Sequence, residues 1–169
     1  VAGFEPTKFA ADAAYNRVLS AINIMDAAGT GKDSLTFYIE DFLGKGETHP
    51  VKVPHKQYGD MLQACNDFAK FLPPDKTAPE VMMKYGEALF GLGRFDLSKE
   101  AYIAVVDRGR TTPYTVQAYS MVAQSAFKLQ DFTTAERWYD RIRREYPESS
   151  RYVDRASTMM ASAKFKMAE

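Results

Sequence analysis

The sequence has few of the residues that carry catalytic or metal chemistry. Its 169 residues include one cysteine, two histidines and one tryptophan, and Lys+Arg and Asp+Glu both count 22. A single cysteine excludes an intrachain disulfide, so the redox compartment stays open. A formal net charge of zero gives no long-range attraction to nucleic acid or to anionic membranes. We therefore expect no nucleic-acid partner.

Long apolar runs are missing as well. No stretch approaches the roughly 20 residues needed to cross a bilayer, so we expect no transmembrane segment in this chain. The sequence begins Val-Ala-Gly-Phe, with neither a methionine nor a signal sequence, and we interpret it as a mature or trimmed fragment. With 46% hydrophobic and 26% charged residues, it is suited to one ordinary folded domain.

What the sequence does contain is an internal repeat. The segments GRFDLSKEAY, from Gly93, and QDFTTAERWY, from Gln130, share residue types at matching positions and lie 37 residues apart. Pro113 and Pro147 instead lie 34 residues apart. A unit of 34 residues, with three more in the turn DRGRTTP, reconciles the two spacings. Periods of this length are typical of stacked helical hairpins.

Apolar residues recur at helical spacing in most of the chain. We predict helices over residues 7–28, 34–43, 55–72, 79–92, 96–109, 114–129, 132–146 and 149–167. The segment GKGETHPVKVPHK, residues 44–56, follows the second predicted helix and is rich in glycine, proline and charge, which indicates a surface loop. Strand signals are nearly absent, since no stretch alternates apolar and polar residues between turns. The prediction is an all-α fold of about eight helices in one domain, residues 1–169.

Small residues mark where paired helices should cross. Gly86 with Ser98, and Ala123 with Ala135, are expected to let the backbones of each hairpin approach closely. Large side chains then fill the space beside each crossing: Tyr85, Leu89, Phe95, Tyr102 and Val105 in the first hairpin, and Tyr119, Val122, Phe132, Tyr139 and Ile142 in the second. Because one hairpin cannot cover its own apolar face, neighbouring hairpins must stack.

These residues resemble the tetratricopeptide repeat (TPR) family. The second copy matches its pattern through Ala123, Ala135, Tyr139 and Pro147, whereas the first copy has Ser98 for the usual alanine and Arg110 for the usual proline. The resemblance implies a right-handed α-solenoid with divergent N-terminal helices over 1–77, repeats over 79–112 and 116–149, and a capping helix over 150–169. Residues 1–72 match poorly.

A second resemblance concerns the compartment. The segment YPESSRYVDRA, from Tyr146, is similar to repeats of the bacterial outer-membrane assembly lipoproteins. It favours a soluble protein of the bacterial periplasm or envelope, with the cytoplasm left open.

The family resemblance also implies a function, a non-catalytic scaffold whose concave groove binds a peptide or helix of a partner protein. It assigns to that face Glu80, Met83, Glu87, Phe90, Gln117, Ser120, Gln124, Phe127, Lys128, Arg151 and Asp154. Two phenylalanines among amides and mixed charges suit a peptide with an apolar anchor. The alternative is a structural module that self-associates, or part of a larger repeat protein whose own helices fill the groove.

Candidate chemistry elsewhere in the sequence is weak. GTGKDS, from Gly29, lacks the first glycine and the final Ser or Thr of a phosphate-binding loop, because Asp26 and Asp33 stand there. We interpret it as a turn that ends a helix. His49 and His55 flank the proline-rich loop and would need Glu47 or Asp60 to converge on a metal.

Cys65 lies on an apolar helical stripe, about three turns from His55 on the same predicted helix and too far to touch it, and is expected to be a buried thiol. RWYDRIRRE, from Arg137, is locally basic, but its charges are spaced four apart as in ion pairs on a helix surface. We predict a solvated face there, with Trp138 packed or half-exposed. No catalytic residue, cofactor or metal site is predicted.

Overall fold

The computed structural model is mostly helical and describes residues 8–28, 34–42, 45–71, 79–107 and 112–169. Its elements are α1 (Lys8–Ala28), β1 (Leu35–Glu40), β2 (Thr48–Val53), α2 (Lys56–Phe71), α3 (Pro79–Gly91), α4 (Phe95–Asp107), α5 (Thr115–Lys128), α6 (Phe132–Glu145) and α7 (Ser150–Ala168). The chain divides into two compact units, Val1–Val81 and Met82–Glu169. One repeat domain over 1–169, with the boundaries given above, stays a prediction.

A β-hairpin in the first unit corrects two sequence predictions. Residues 34–43 were expected to form a helix and 44–56 a loop, but β1 and β2 pair antiparallel from Leu35↔Val53 to Glu40↔Thr48. Exposure alternates along β1 as a strand requires, because Tyr38 is 65% exposed whereas its neighbour Ile39 is 1% exposed. This alternation has the period of two that belongs to a strand.

Packing against α2 explains why this segment is a hairpin. Gly59 of α2 lies so close to β1 that a Cβ atom there would be 2.4 Å from Cδ2 of Phe37. An isolated two-stranded hairpin is marginal in water, so the helix beneath it supplies the missing apolar contact. The core side chains of this unit are almost fully buried: Val18, Ile39, Val51, Val53, Met61, Leu62, Cys65 and Phe68.

The helices predicted over residues 79–167 are confirmed. Where the predicted bounds fall on described residues, each helix begins and ends within two residues of them, and the same holds for the helices predicted over 7–28 and 55–72. The predicted start at residue 7 and the predicted ends at residues 72 and 109 lie outside the described residues. In the second unit α4, α5, α6 and α7 pack successively against one another. The local signals were strong here, because apolar periodicity, turn residues and helix-forming composition agree along the whole segment.

The small-residue crossing of the first hairpin is confirmed. The hydroxyl of Ser98 donates to the carbonyl oxygen of Gly86 over 2.8 Å, which joins α4 to α3. A Cβ atom on Gly86 would come within 2.7 Å of the Tyr102 ring. In the second hairpin Ala123 and Ala135 are fully buried in one cluster with Tyr119, Tyr139, Ile142, Ala156 and Met160. Close approach of the helices therefore rests on the predicted small residues.

The two hairpin turns have the same backbone geometry, 37 residues apart. Gly93 has φ 76° and Gln130 has φ 61°, both in the left-handed region. In the first turn the amides of Gly93 and Arg94 donate to the carbonyls of Phe90 and Leu89, and the amides of Gln130 and Asp131 repeat this with Phe127 and Ala126. This is the Schellman ending of a helix. The repeat in the sequence is therefore a repeat in the backbone.

Candidate functional site

Eight of the residues assigned to the binding face occupy matching positions on α3 and α5, whereas Lys128 ends α5 and Arg151 and Asp154 lie on α7. Met83 and Ser120 lie 37 residues apart and are both buried. Glu80, Glu87 and Gln117 are exposed, and Gln124 is half-buried. Matching positions therefore agree in burial for Met83 with Ser120 and for Glu80 with Gln117, but they differ for Glu87 and Gln124.

The two phenylalanines expected as anchors have equivalent surroundings. Phe90 packs edge-on against Phe95 with ring centroids 4.9 Å apart, and Phe127 packs edge-on against Phe132 at 5.0 Å. Both Phe90 and Phe127 are half-buried. Each ring is therefore held by the next helix of its own hairpin, and part of it stays accessible. Such edge-to-face pairs add about 0.5–1.5 kcal/mol beyond the burial of their area.

A hydrogen bond joins α5 to α7 in the second unit. Nη2 of Arg155 donates to Oε1 of Gln124 over 2.8 Å, and Nε2 of Gln124 donates to Oγ of Ser120 over 3.2 Å. Arg155 was not among the residues assigned to the binding face, although it lies one helical turn after Arg151. The exposed assigned residues of these two helices form what we call the α5–α7 face: Gln117, Lys128, Arg151 and Asp154.

A second polar cluster links α5 to α6 around Arg141. Its Nη2 donates to Oη of Tyr119 over 2.6 Å and its Nε donates to Oε1 of Glu145 over 2.9 Å. The hydroxyl of Tyr119 donates in turn to Oε2 of Glu145 over 2.7 Å. The guanidinium carbon also lies 4.5 Å from the ring centroid of Tyr119 and 4.6 Å from that of Trp138. These contacts satisfy one another, so we assign the cluster to packing of the hairpin.

The pKa values of this cluster follow its hydrogen bonds. The hydrogen bond from Arg141 holds the pKa of Glu145 below its usual range, with a further contribution from Tyr119. Burial, followed by the hydrogen bond to Glu145, raises the pKa of Tyr119. Each shift favours the form that makes the contact, a carboxylate facing a neutral phenol and a cation.

The basic segment beginning at Arg137 behaves as predicted. Arg141 pairs with Glu145 at 2.9 Å, and Arg144 pairs with Asp140 at 2.7 Å, both at a spacing of four. Trp138 is half-buried and packs edge-on against Tyr119 at 5.3 Å. The ion-pair interpretation and the packed tryptophan are confirmed.

The remaining candidates are far from a catalytic arrangement. Cys65 is buried as predicted, with its sulfur 3.8 Å from that of Met61. Nδ1 of His55 accepts from the amide of Tyr58, and His49 lies 3.7 Å from Glu47. Among the described residues, no three His, Cys, Asp or Glu side chains lie together as metal ligands would. GTGKDS spans residues 29–34, of which 29–33 lie outside the described residues, so the turn there stays a prediction.

Comparisons with known proteins add no relative. No protein-family model matches the chain, and no curated protein matches it. Within the described ranges, no helix combines the length and apolar character that crossing a membrane requires.

Proposed function

We propose that the chain is a non-catalytic protein-interaction scaffold of the TPR type, a right-handed α-solenoid that binds a peptide or helix of a partner protein. The observation that carries the proposal is the α5–α7 face. There the hydrogen bond between Arg155 and Gln124 sets two helices side by side, and polar side chains between and around them reach solvent. Amide and charged groups of this kind recognise the polar groups of an extended or helical peptide.

The geometry of Phe127 supports the same proposal. Its ring is fixed by Phe132 before any partner arrives, and it remains half-buried beside the α5–α7 face. A side chain that is already held in place loses little conformational freedom on binding, which preserves affinity. An apolar anchor within a polar rim is the usual composition of a protein interface.

Charge reversal on the α5–α7 face tests the proposal. The chain is immobilised and exposed to a lysate of its source, and each retained protein is identified and its affinity measured with purified material. We expect Arg151→Glu with Asp154→Lys to weaken binding at least about tenfold, because truncated or reversed contacts at the centre of an interface cost about 2 kcal/mol or more.

The matched control is Lys52→Glu with Asp12→Lys, a swap of one exposed cation and one exposed anion in the first unit. This control should retain the same protein with unchanged affinity. Equal loss in both variants, or a ligand indifferent to the reversal on α5–α7, contradicts the proposed face.

Self-association is a second candidate, favoured by apolar side chains at the end of α7. Phe165 is 65% exposed and Met167 is 44% exposed. The hydroxyl of Thr133 lies 3.5 Å from the sulfur of Met167, which places the end of α7 near the start of α6. Large apolar side chains exposed close together along a helix can mark contacts between proteins.

Light scattering over a range of concentrations separates the two candidates. A growing mass that Phe165→Ser abolishes supports self-association through the end of α7. A monomer at every concentration favours the scaffold and leaves the α5–α7 face free for a partner.

A further inference from the structure

A groove between α6 and α7 lies apart from the α5–α7 face. It has a volume of about 450 Å³. Its lining is polar apart from one methionine and consists of Thr133, Glu136, Arg137, Asp140, Arg143, Met160 and Lys164. None of these residues was assigned to the binding face by the sequence. The groove belongs entirely to the second unit.

Positive charge remains in this groove after its ion pairs are formed. Lys164 pairs with Glu136 at 3.4 Å, and Asp140 pairs with Arg144 at 2.7 Å, so both carboxylates of the lining are neutralised. In the part of the chain that the structure describes, Arg137 has no ion pair. Arg143 makes only a 3.6 Å contact from Nη1 to the sulfur of Met160.

Packing of the repeat does not require these two arginines. The positions 37 residues earlier, on α4, hold Glu100 in place of Arg137 and Val106 in place of Arg143. Val106 packs against the buried cluster of the second hairpin, whereas Arg143 is exposed. The cations are thus particular to α6, although the turn and crossing residues of the two copies are alike.

We infer that the α6–α7 groove binds an acidic segment of a partner protein through Arg137 and Arg143. Guanidinium groups match carboxylates in planar, two-point hydrogen bonding, and an exposed arginine that forms no ion pair with a carboxylate of the chain keeps that capacity available. Met160 adds a flexible apolar wall beneath an acidic side chain's methylene groups. The inferred occupant is a stretch of Asp and Glu residues, and no phosphate group or nucleic acid is required.

The test uses a fluorescein-labelled hexaglutamate peptide and the full chain, with hexaglutamine as the neutral peptide control. At low ionic strength the chain should bind hexaglutamate and not hexaglutamine, and added salt should weaken binding because exposed charges are screened. Arg137→Gln with Arg143→Gln should raise the Kd about tenfold. Lys52→Gln with Lys166→Gln removes the same charge outside the groove and should change the Kd less than twofold.

Removing carboxylates from the groove supplies a test of opposite sign. Glu136→Gln with Asp140→Asn leaves Lys164 and Arg144 without their internal partners, so hexaglutamate should bind about threefold more tightly. Thermal unfolding of each variant shows whether it remains folded. The inference is overturned if hexaglutamate does not bind, if hexaglutamine binds equally well, or if the two arginine substitutions act no more strongly than their lysine controls.

Charge reversal on the α5–α7 face distinguishes this inference from the proposed function. Arg151→Glu with Asp154→Lys should leave the dependence of hexaglutamate binding on Arg137 and Arg143 intact. A partner lost from that face while the peptide still binds the groove would show two separate surfaces.

Discussion

The two helical hairpins of the second unit share their turns but differ along their second helices. Gly93 and Gln130 have the same left-handed backbone and the same pattern of amide donors. Yet Ile103 and Val106 on α4 are replaced by Asp140 and Arg143 on α6. The repeat therefore constrains the turn and the helix crossing, because these positions set the backbone path. Positions on the second helix that face the next helix vary with the side chains that cover them. Polar residues there are typical of the terminal repeat of a repeat protein.

The largest expected effect comes from placing a larger side chain at the small-residue crossing of the second hairpin, which has an equivalent in the first. Ala135 is fully buried, and Ala135→Leu should destabilise the fold by roughly 1–3 kcal/mol or more because the added atoms have no room. Arg144→Leu on the exposed side of the same helix should cost no more than about 1 kcal/mol, the range of an exposed ion pair. Denaturant unfolding measures both. Equal losses would contradict the assigned faces of α6.

Gly86 and Ala123 occupy the same position in the two hairpins, which sharpens the comparison. Gly86→Ala should cost about 1–2 kcal/mol, because its Cβ would lie 2.7 Å from the Tyr102 ring and the gain in helix propensity offsets only part of the strain. Thermal unfolding against the parent chain measures the change. A more stable variant would mean that the Tyr102 ring can move aside. The first crossing would then accept alanine as the second one does at Ala123.

Exchange of the turn residues should give opposite signs in the two hairpins. Gly93→Ala should cost about 1 kcal/mol, because alanine is disfavoured at positive φ. Gln130→Gly should stabilise by a few tenths of a kcal/mol up to about 1 kcal/mol, because glycine adopts that backbone without strain. Both changes are read from chemical unfolding curves. A destabilised Gln130→Gly would show that the glutamine side chain contributes more than its backbone costs.

The smallest predicted effect concerns acid, and it compares the cap of α6 in the second hairpin with the matching position of the first. Asp131 caps α6 by accepting from the amide of Thr134 over 3.1 Å. Its hydrogen bonds, first with the side chain and then with the backbone of Thr134, hold its pKa below the usual value of 3.8. The equivalent cap position in the first hairpin is Arg94. A carboxyl whose pKa is lowered by folding stabilises the fold above its unfolded pKa. That contribution is lost as the pH falls through the folded pKa.

Stability should therefore decline below about pH 4, with Asp96, Asp131 and Glu145 all contributing. Asp131→Asn keeps an effective cap and should leave the stability at pH 7 within a few tenths of a kcal/mol. It should also make the decline below pH 4 shallower. Unfolding measured from pH 7 to pH 3 tests this, and an unchanged slope would remove Asp131 from the titration.

The wrong predictions of secondary structure both lie in the first unit, and they have a specific cause. LTFYIE, from Leu35, contains apolar residues that satisfy a helical spacing as well as an alternating one over six residues. In β2, Pro50 argued against a strand, yet it pairs with Tyr38 at the edge of a two-stranded sheet. Edge strands tolerate proline because one side of the strand needs no amide donor. The short segment could be assigned only once Gly59 and the core beneath it were known.

The candidate sites show a similar division. The positions of Gln124 and Phe127 on one face of α5 follow from helical periodicity alone. The hydrogen bond from Arg155 to Gln124 joins residues 31 positions apart in the sequence. The contact between Arg143 and Met160 joins residues 17 positions apart. Such contacts depend on how α5, α6 and α7 pack, which local propensity does not specify. The α6–α7 groove could not be predicted for the same reason.

The sequence by itself determined the helices of the second unit, their turns and their small-residue crossings, because periodicity, left-handed turn positions and side-chain size act between near neighbours. Only the tertiary structure decided that residues 35–53 pair as a hairpin, since its stability comes from burying Ile39, Val51 and Val53 against α2. It also decided which charges neutralise one another and which arginines remain available, because ion pairs form between helices whose separation the packed core sets.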